Sequence, residues 1–260
     1  MLGLTTSVRL VWELSVSAQI ALCAVLLLKG NFRRIPGFTA YVASNICQAG
    51  LLYAIYRHFG FRSRAALDSA WLLEAITVLL RALAIVELLR LILKPYRGIW
   101  GLGWRLLALV FGVVLSLALI DTGQNLSSAI LLADRAFHLA FALALGAYFI
   151  LVRYYSIPVH AAYKALLGGF CFYSCSVILA NALGWILFVD KNAHFEMVWQ
   201  LTRMIPFAVV LLVWAIVLWT PLPEPHEQVE LGEAKQFYTQ LSPKTNERLR
   251  SLNEKLKDFW

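Results

Sequence analysis

The chain has 260 residues, of which 60% are hydrophobic and 15% are charged, and its mean hydropathy is +0.70. A protein of that composition cannot solvate its surface as a water-soluble globule, so the composition favours an integral membrane protein. The formal charge of +8 would suggest nucleic-acid binding in a soluble chain, but most Lys and Arg residues lie in short connections between apolar runs. We therefore expect a lipid bilayer around this chain and no nucleic-acid partner.

Apolar runs of about 20 residues, the length at which a helix crosses a bilayer, occur seven times along the chain. A lone span must satisfy its own backbone hydrogen bonds, so each run is predicted to be a helix. The fold class is therefore predicted to be an all-α membrane protein, with a seven-transmembrane helix bundle over residues 1–220. The predicted spans are Val11 to Leu28, Phe38 to Tyr56, Trp71 to Leu93, Trp104 to Ile120, Ile130 to Val152, Ala165 to Val189 and Val198 to Trp219.

Basic residues concentrate in the first, third and fifth connections between these spans, whereas the fourth and sixth connections are acidic or mixed. By the positive-inside rule the odd-numbered connections are cytoplasmic, which places the N-terminus outside and the C-terminus in the cytoplasm. The second connection, with Arg57, Arg62 and Arg64, runs against this rule. The basic residues of the odd-numbered connections are Lys29, Arg33, Arg34, Lys94, Arg97, Arg153 and Lys164.

The third span carries Glu74, Arg81, Glu87 and Arg90 within an otherwise apolar run. A charge at membrane depth costs about 3 kcal/mol on insertion scales and needs a partner or a water-filled cavity. Glu74 and Arg81 are seven residues apart, so they share one face of the helix. We expect this face to point into the bundle.

Polar side chains also occur in the outer parts of the fifth, sixth and seventh spans, at a similar predicted depth. They predict an outward-facing pocket for a small polar or anionic ligand. The candidate pocket residues are Glu74, Arg81, Asp134, His138, Asn181, Gln200 and Arg203. The alternative, weighed equally, is that these groups only hold helices together, at about 0.6 kcal/mol for each hydrogen bond.

Two further polar groups lie near predicted helix contacts or ends. Asn45 and Gln48 lie deep in the second span, where we expect them to bond across helices. Glu87, Arg90 and Lys94 are three to four residues apart near the end of the third span. We interpret them as a solvated helix end with snorkelling cations, the alternative being a docking site for a partner.

The composition changes after Trp219. Residues 221–230 are a proline-rich connector, and residues 231–260 are predicted to be a cytoplasmic tail with an amphipathic helix that begins at Ser242 and Pro243. This helix would lie on the inner leaflet, on its own bundle or on a partner. We expect no kinase, cyclase or phosphatase domain beyond it. Its candidate docking face consists of Leu249, Leu252, Leu256 and Phe259.

The residues that several classes of seven-helix membrane protein need for their chemistry are missing from this sequence. The last predicted span has no lysine for a retinal Schiff base, and His138 is the only histidine predicted at membrane depth, which disfavours haem. Neither a catalytic motif nor a nucleotide loop is present. We therefore expect no cofactor, no metal and no enzymatic activity, although Glu74, Asp134 and His138 offer a generic acid and base. The cysteines Cys23, Cys47, Cys171 and Cys175 are expected to be buried free thiols.

The pattern Leu73-Glu74, Leu80-Arg81, Glu87, Arg90 and Lys94-Pro95-Tyr96 resembles an uncharacterised family of bacterial seven-helix integral-membrane proteins. More remotely, the layout is similar to the seven-span sensor regions of bacterial histidine kinases. The resemblance implies a location in the bacterial inner membrane and a sensing role with a separate output protein.

The leading hypothesis from the sequence is therefore a non-enzymatic, receptor-like protein that couples an outward pocket to its tail through the third and seventh spans. One alternative is an accessory or scaffolding subunit of a larger membrane complex, in which the polar groups are packing contacts. A small transporter or membrane enzyme is the third interpretation.

Overall fold

The computed structural model describes residues 6–60, 63–94, 96, 100–101, 103–105, 108, 112, 116, 126–154, 157, 159–187, 193–222, 242–248 and 251. Six long helices account for most of these ranges, which contain no strand. A short 3₁₀ turn covers Asn31–Arg33. The helices are α1 (Thr6–Leu28), α2 (Pro36–Phe59), α3 (Arg64–Leu93), α4 (Leu126–Tyr154), α5 (Ala161–Leu187) and α6 (Ala193–Val217).

Five of the helices contain stretches that are long and apolar enough to cross a membrane, which confirms a helical integral membrane protein. Helix α3 is not among the five, and it is the helix that carries the four charged residues of the third predicted span. The five stretches are Ser7–Leu28, Pro36–Phe59, Arg135–Tyr154, Ala161–Ala182 and Gln200–Val217.

The number of spans and the extent of the tail helix stay predictions. The predicted span from Trp104 to Ile120 lies largely outside the described residues, as does the connector at 221–230. Residues 242–248 are helical, but the candidate docking face of the tail lies outside the described residues.

Local sequence signals explain where two helices begin. Pro36 is at the start of α2, where its missing N–H costs no hydrogen bond. Ser63 caps α3, because its hydroxyl accepts the backbone N–H of Ala66 at 3.1 Å. Between these helices Gly60 ends α2 with a φ of 82°, a conformation that glycine adopts without strain. The chain can therefore reverse direction sharply and pack α3 against α2.

Five helices close into a ring. Helix α1 packs against α2 and α6, α2 packs against α3, and α5 packs against both α3 and α6. Helix α4 contacts α3 and α5. In the described part of the chain, α3 and α6 do not pack together, so an interior space lies between them.

An aromatic cluster of Phe38, Tyr41, Phe170 and Trp214 fills one half of this interior. Each of the four side chains is at most 1% exposed. The ring centroids of Phe38 and Trp214 are 5.0 Å apart, and those of Phe170 and Trp214 are 4.7 Å apart. These contacts bridge α2, α5 and α6, and they seal the ring near one of its ends.

The buried side chain of Asn31 links two segments of the chain at one end of the bundle. Its Nδ2 donates to the carbonyl oxygen of Leu218 at 2.9 Å, and its Oδ1 accepts the N–H of Leu222 at 2.9 Å. The turn after α1 is thereby bound to the chain that leaves α6. We call this end of the bundle, where α1 and α6 end and α2 begins, the Asn31 end.

Glu87 makes the second polar contact at the Asn31 end. Its two carboxylate oxygens accept the backbone N–H groups of Gly37 at 3.0 Å and Phe38 at 2.9 Å. These N–H groups belong to the first turn of α2 and have no partner within the helix, and the carboxylate also meets the positive end of the helix dipole. The expected solvated helix end is thus wrong for Glu87, although Arg90 and Lys94 are exposed.

We predict that Gly169→Ala destabilises the bundle. A Cβ at Gly169 would overlap the indole nitrogen of Trp214 and lie 2.9 Å from Cγ1 of Val210. The indole is fully buried and donates to the carbonyl of Ala165 at 3.3 Å, so it has little room to move. Overpacking of this kind costs about 1–3 kcal/mol in unfolding free energy.

The matched control is Gly168→Ala, because the nearest atom to its Cβ would be Cζ of Phe149 at an ordinary 3.9 Å. Unfolding of both variants in detergent would be compared with that of the unmodified protein. Equal stability of the two variants would contradict the close approach of α5 and α6 described above.

Candidate functional site: a charged pocket inside the ring

The half of the interior that the aromatic cluster leaves open is a pocket of about 270 Å³. Four helices, α2, α3, α5 and α6, supply its wall. We call it the Glu74 pocket, and its lining residues are Asn45, Gln48, Glu74, Thr77, Arg81, Tyr173, Gln200, Arg203, Met204 and Phe207. In α2, α5 and α6 these residues lie farther from the Asn31 end than the members of the aromatic cluster do.

The wall formed by α3 is a stripe of Glu74, Thr77 and Arg81, which lie three and four residues apart. Gln48 of α2 bonds to two of them. Its Oε1 accepts the hydroxyl of Thr77 at 2.7 Å, and its Nε2 donates to Oε2 of Glu74 at 3.2 Å. The two bonds together fix the orientation of the amide, since only the oxygen can accept and only the nitrogen can donate.

The carboxylate of Glu74 keeps acceptor capacity toward the pocket. A carboxylate has sites for about four hydrogen bonds, and within the described part of the chain Glu74 accepts the single bond from Gln48. No cation of the described residues lies within 4.0 Å of this carboxylate. Glu74 can therefore accept a hydrogen bond from a donor group of a molecule in the pocket.

Arg81 is the most deeply buried charged residue of this wall, with 3% of its surface exposed. Its Nη1 is 2.8 Å from Nε2 of His138. Arginine can only donate, so this imidazole nitrogen is the acceptor, and His138 is the neutral tautomer with its proton on Nδ1. The guanidinium carbon also lies 5.3 Å from the ring centroid of Tyr173 and 5.9 Å from that of Tyr41. The π faces of these rings attract its positive charge.

Helix α6 forms the opposite wall with Gln200, Arg203, Met204 and Phe207. These positions follow the spacing of one helical face, three and four residues apart. The ring of Phe207 lies 5.1 Å from that of Tyr173, centroid to centroid. The pocket therefore combines two guanidinium groups, one carboxylate and three neutral amides with an aromatic side.

Four of the seven candidate pocket residues line this one pocket: Glu74, Arg81, Gln200 and Arg203. His138 does not line the pocket, but it contacts two residues that do, Arg81 through a hydrogen bond and Tyr173 through a ring contact at 5.4 Å. Asn181 of α5 does not line it, and its Oδ1 is buried with no hydrogen-bond partner among the described residues. The side chain of Asp134 lies outside the described residues, as do those of Leu249, Leu252, Leu256 and Phe259.

The other lining residues had weaker sequence signals. Gln48 bonds across helices as expected, whereas Asn45 donates to the backbone carbonyl of Tyr41 in its own helix at 2.7 Å. Helical spacing from Glu74 could have identified Thr77, and spacing from Gln200 could have identified Met204 and Phe207. Tyr173 carries no such signal, because an aromatic residue in an apolar span is ordinary.

No protein-family model, no curated protein and no solved structure matches this chain. The fold and the pocket alone therefore define the class, a helical integral membrane protein with a charged pocket in its bundle interior. Within the described ranges no three His, Cys, Asp or Glu side chains come close enough to hold a metal ion. The four cysteines are free thiols as expected, but they are not buried: Cys47 and Cys175 are exposed, and Cys23 and Cys171 are half-buried.

We predict that Gln48→Leu and Thr77→Val are energetically coupled, because each removes one partner of the same partly buried hydrogen bond. Interhelical bonds of this kind average about 0.6 kcal/mol in a membrane protein, with a maximum near 1.7. A double-mutant cycle of unfolding free energies would measure the coupling. Ser176→Ala, which removes an exposed hydroxyl bonded within its own helix, is the control. A coupling energy of zero would contradict the bond.

Proposed function

We propose that this chain is a non-enzymatic, receptor-like protein of a bacterial inner membrane that binds a small polar or anionic molecule in the Glu74 pocket. The observation that carries the proposal is the pocket itself, about 270 Å³ with a glutamate and two arginines in its wall. Charged side chains within a membrane bundle are costly, and they typically mark ligand or ion sites. Guanidinium groups also suit anions, because they bind carboxylate and phosphate in a bidentate manner.

The aromatic cluster, which closes one half of the interior, favours a receptor over a transporter. A transporter moves its substrate past the binding site, and here the buried rings of Phe38, Tyr41, Phe170 and Trp214 fill the path to the Asn31 end. Their packing leaves only the other half of the bundle interior open to a ligand. A molecule bound there would act on the helices around it.

The charge distribution favours an outward-facing pocket. Basic residues border the Asn31 end, among them Lys29, Arg33, Arg34 and Lys94. By the positive-inside rule this end would face the cytoplasm. The Glu74 pocket, in the opposite half, would then receive its ligand from outside, and the tail would project into the cytoplasm.

Two helices connect the pocket to the Asn31 end. Helix α3 carries Glu74 and Arg81 at the pocket and Glu87 at the first turn of α2. Helix α6 carries Arg203 at the pocket and Leu218, whose carbonyl Asn31 binds, just beyond its end. A small rigid shift of either helix on ligand binding would alter a polar contact at the Asn31 end. Helix shifts of this type are a common element of membrane signalling.

The test is purification of the full chain from its native membranes in mild detergent, followed by mass spectrometry of bound small molecules and co-purifying proteins. A receptor would retain a small polar molecule, alone or with a signalling partner. A stoichiometric set of membrane proteins, lost on deletion of residues 231–260, together with an empty pocket, would favour an accessory subunit.

We predict that Arg203→Gln lowers retention of the small molecule about tenfold or more, because a hydrogen bond to a charged group contributes about 1.5–3 kcal/mol. Arg203 is preferred to Arg81 for this test, since Arg81 is buried against His138 and its removal would also weaken the fold. The control is Arg90→Gln, which removes an exposed positive charge from α3 outside the pocket. Equal retention by both variants would contradict the proposal.

A further inference from the structure

We infer that the ligand of the Glu74 pocket is a small zwitterion, with a carboxylate bound by the arginines and an ammonium group bound by Glu74. This inference rests on the proposed function and narrows it from polar or anionic molecules to one chemical class.

The two signs of charge are separated along the pocket wall. Glu74 and Arg81 are seven residues apart on α3, which places their backbones about 10 Å apart along the helix axis. The described residues show no ion pair between Glu74 and either arginine of the pocket. A wall with separated opposite charges complements a ligand whose own charges are separated.

The burial and the hydrogen bonding of Glu74 favour a cationic group on the ligand. Its carboxylate is half-buried in the bundle and accepts one bond, at 3.2 Å, from a neutral amide among the described residues. A carboxylate in such a place is stable only with further donors, and a charged donor is the strongest of them. An ammonium group has three N–H donors and one positive charge, which supply both requirements.

The arginines provide the positive charges of the pocket. Arg81 is held from behind by His138 and by the faces of Tyr41 and Tyr173, so its position is fixed before a ligand arrives. Arg203 reaches the same pocket from α6. A carboxylate between the two helices would be bound by a preorganised guanidinium on one side and by a second guanidinium on the other.

The volume of the pocket suits a small ligand. A pocket of about 270 Å³ has room for about nine water molecules at 30 Å³ each, which corresponds to a molecule of about ten non-hydrogen atoms. The aromatic side of Tyr173 and Phe207 favours a short methylene chain between the two charged groups. Short ω-amino acids meet all of these conditions.

The experiment measures binding of four probes to the purified full chain in lipid nanodiscs, by calorimetry. The probes are γ-aminobutyrate, butyrate, butylamine and 4-hydroxybutyrate, which share a chain of four carbons and differ only in their end groups. We expect γ-aminobutyrate to bind about tenfold or more tightly than each of the other three. Butyrate or 4-hydroxybutyrate binding as tightly as γ-aminobutyrate would overturn the inference.

Glu74→Gln tests the ammonium contact directly, because it keeps the shape of the side chain and the acceptor for Gln48 but removes the charge. We expect this variant to lose the preference for γ-aminobutyrate over butyrate, and Glu74→Asp to retain part of it. The control, Arg90→Gln, should bind all four probes as the unmodified protein does. An unchanged preference in Glu74→Gln would overturn the inference.

Failure of this inference is distinguishable from failure of the proposed function. Suppose that a small molecule co-purifies with the chain, is lost on Arg203→Gln and contains no amine. This result would overturn the inference of a zwitterionic ligand but would agree with the proposed receptor function. No bound molecule and no binding of any probe would overturn both. If Glu74→Gln does not fold, the four probes on the unmodified protein decide the question.

Discussion

The structure depends on how one largely apolar helix, α3, accommodates its charges. Helix α3 places Glu74, Arg81 and Glu87 among apolar residues, which cannot solvate a charge. Each charge has a different local environment. Glu74 bonds to the amide of Gln48, Arg81 to the imidazole of His138 and two aromatic faces, and Glu87 to the first backbone N–H groups of α2. Helix α3 must therefore lie against α2, α4 and α5, and its contacts with α2 and α5 set its place in the ring.

The same requirement divides the interior of the ring into two halves. Near the Asn31 end, the backbone N–H groups of α2 satisfy Glu87, so the neighbouring interior can be filled with aromatic rings such as Phe38 and Trp214. Farther along α3, Glu74 and Arg81 need polar surroundings, and close packing by apolar side chains would leave them unsatisfied. A pocket forms in that half, bounded by amides, guanidinium groups and a few rings.

Sequence patterns predicted the membrane helices and the inward face of α3, because both follow from periodicity and from the cost of charge in lipid. The spacing of Glu74 and Arg81 indicated a common face, and both line one pocket. The partner of Glu87 could not be inferred, since backbone N–H groups at a helix start have no side-chain signature. The position of His138 behind Arg81, outside the pocket wall, depends on how α4 packs against α3, which spacing within one helix does not determine.

The contact of Glu87 with α2 bears on how a ligand could be sensed. The carboxylate occupies the space that a side chain at Gly37 would need, with Oε2 only 2.9 Å from the position of a Cβ. It also holds the N–H of Phe38, whose ring lies in the aromatic cluster. Because packed interiors deform little, movement of α3 at Glu74 cannot be absorbed at this close contact. It must either break the two hydrogen bonds of Glu87 or carry the start of α2 with it, and each outcome changes the Asn31 end of the bundle.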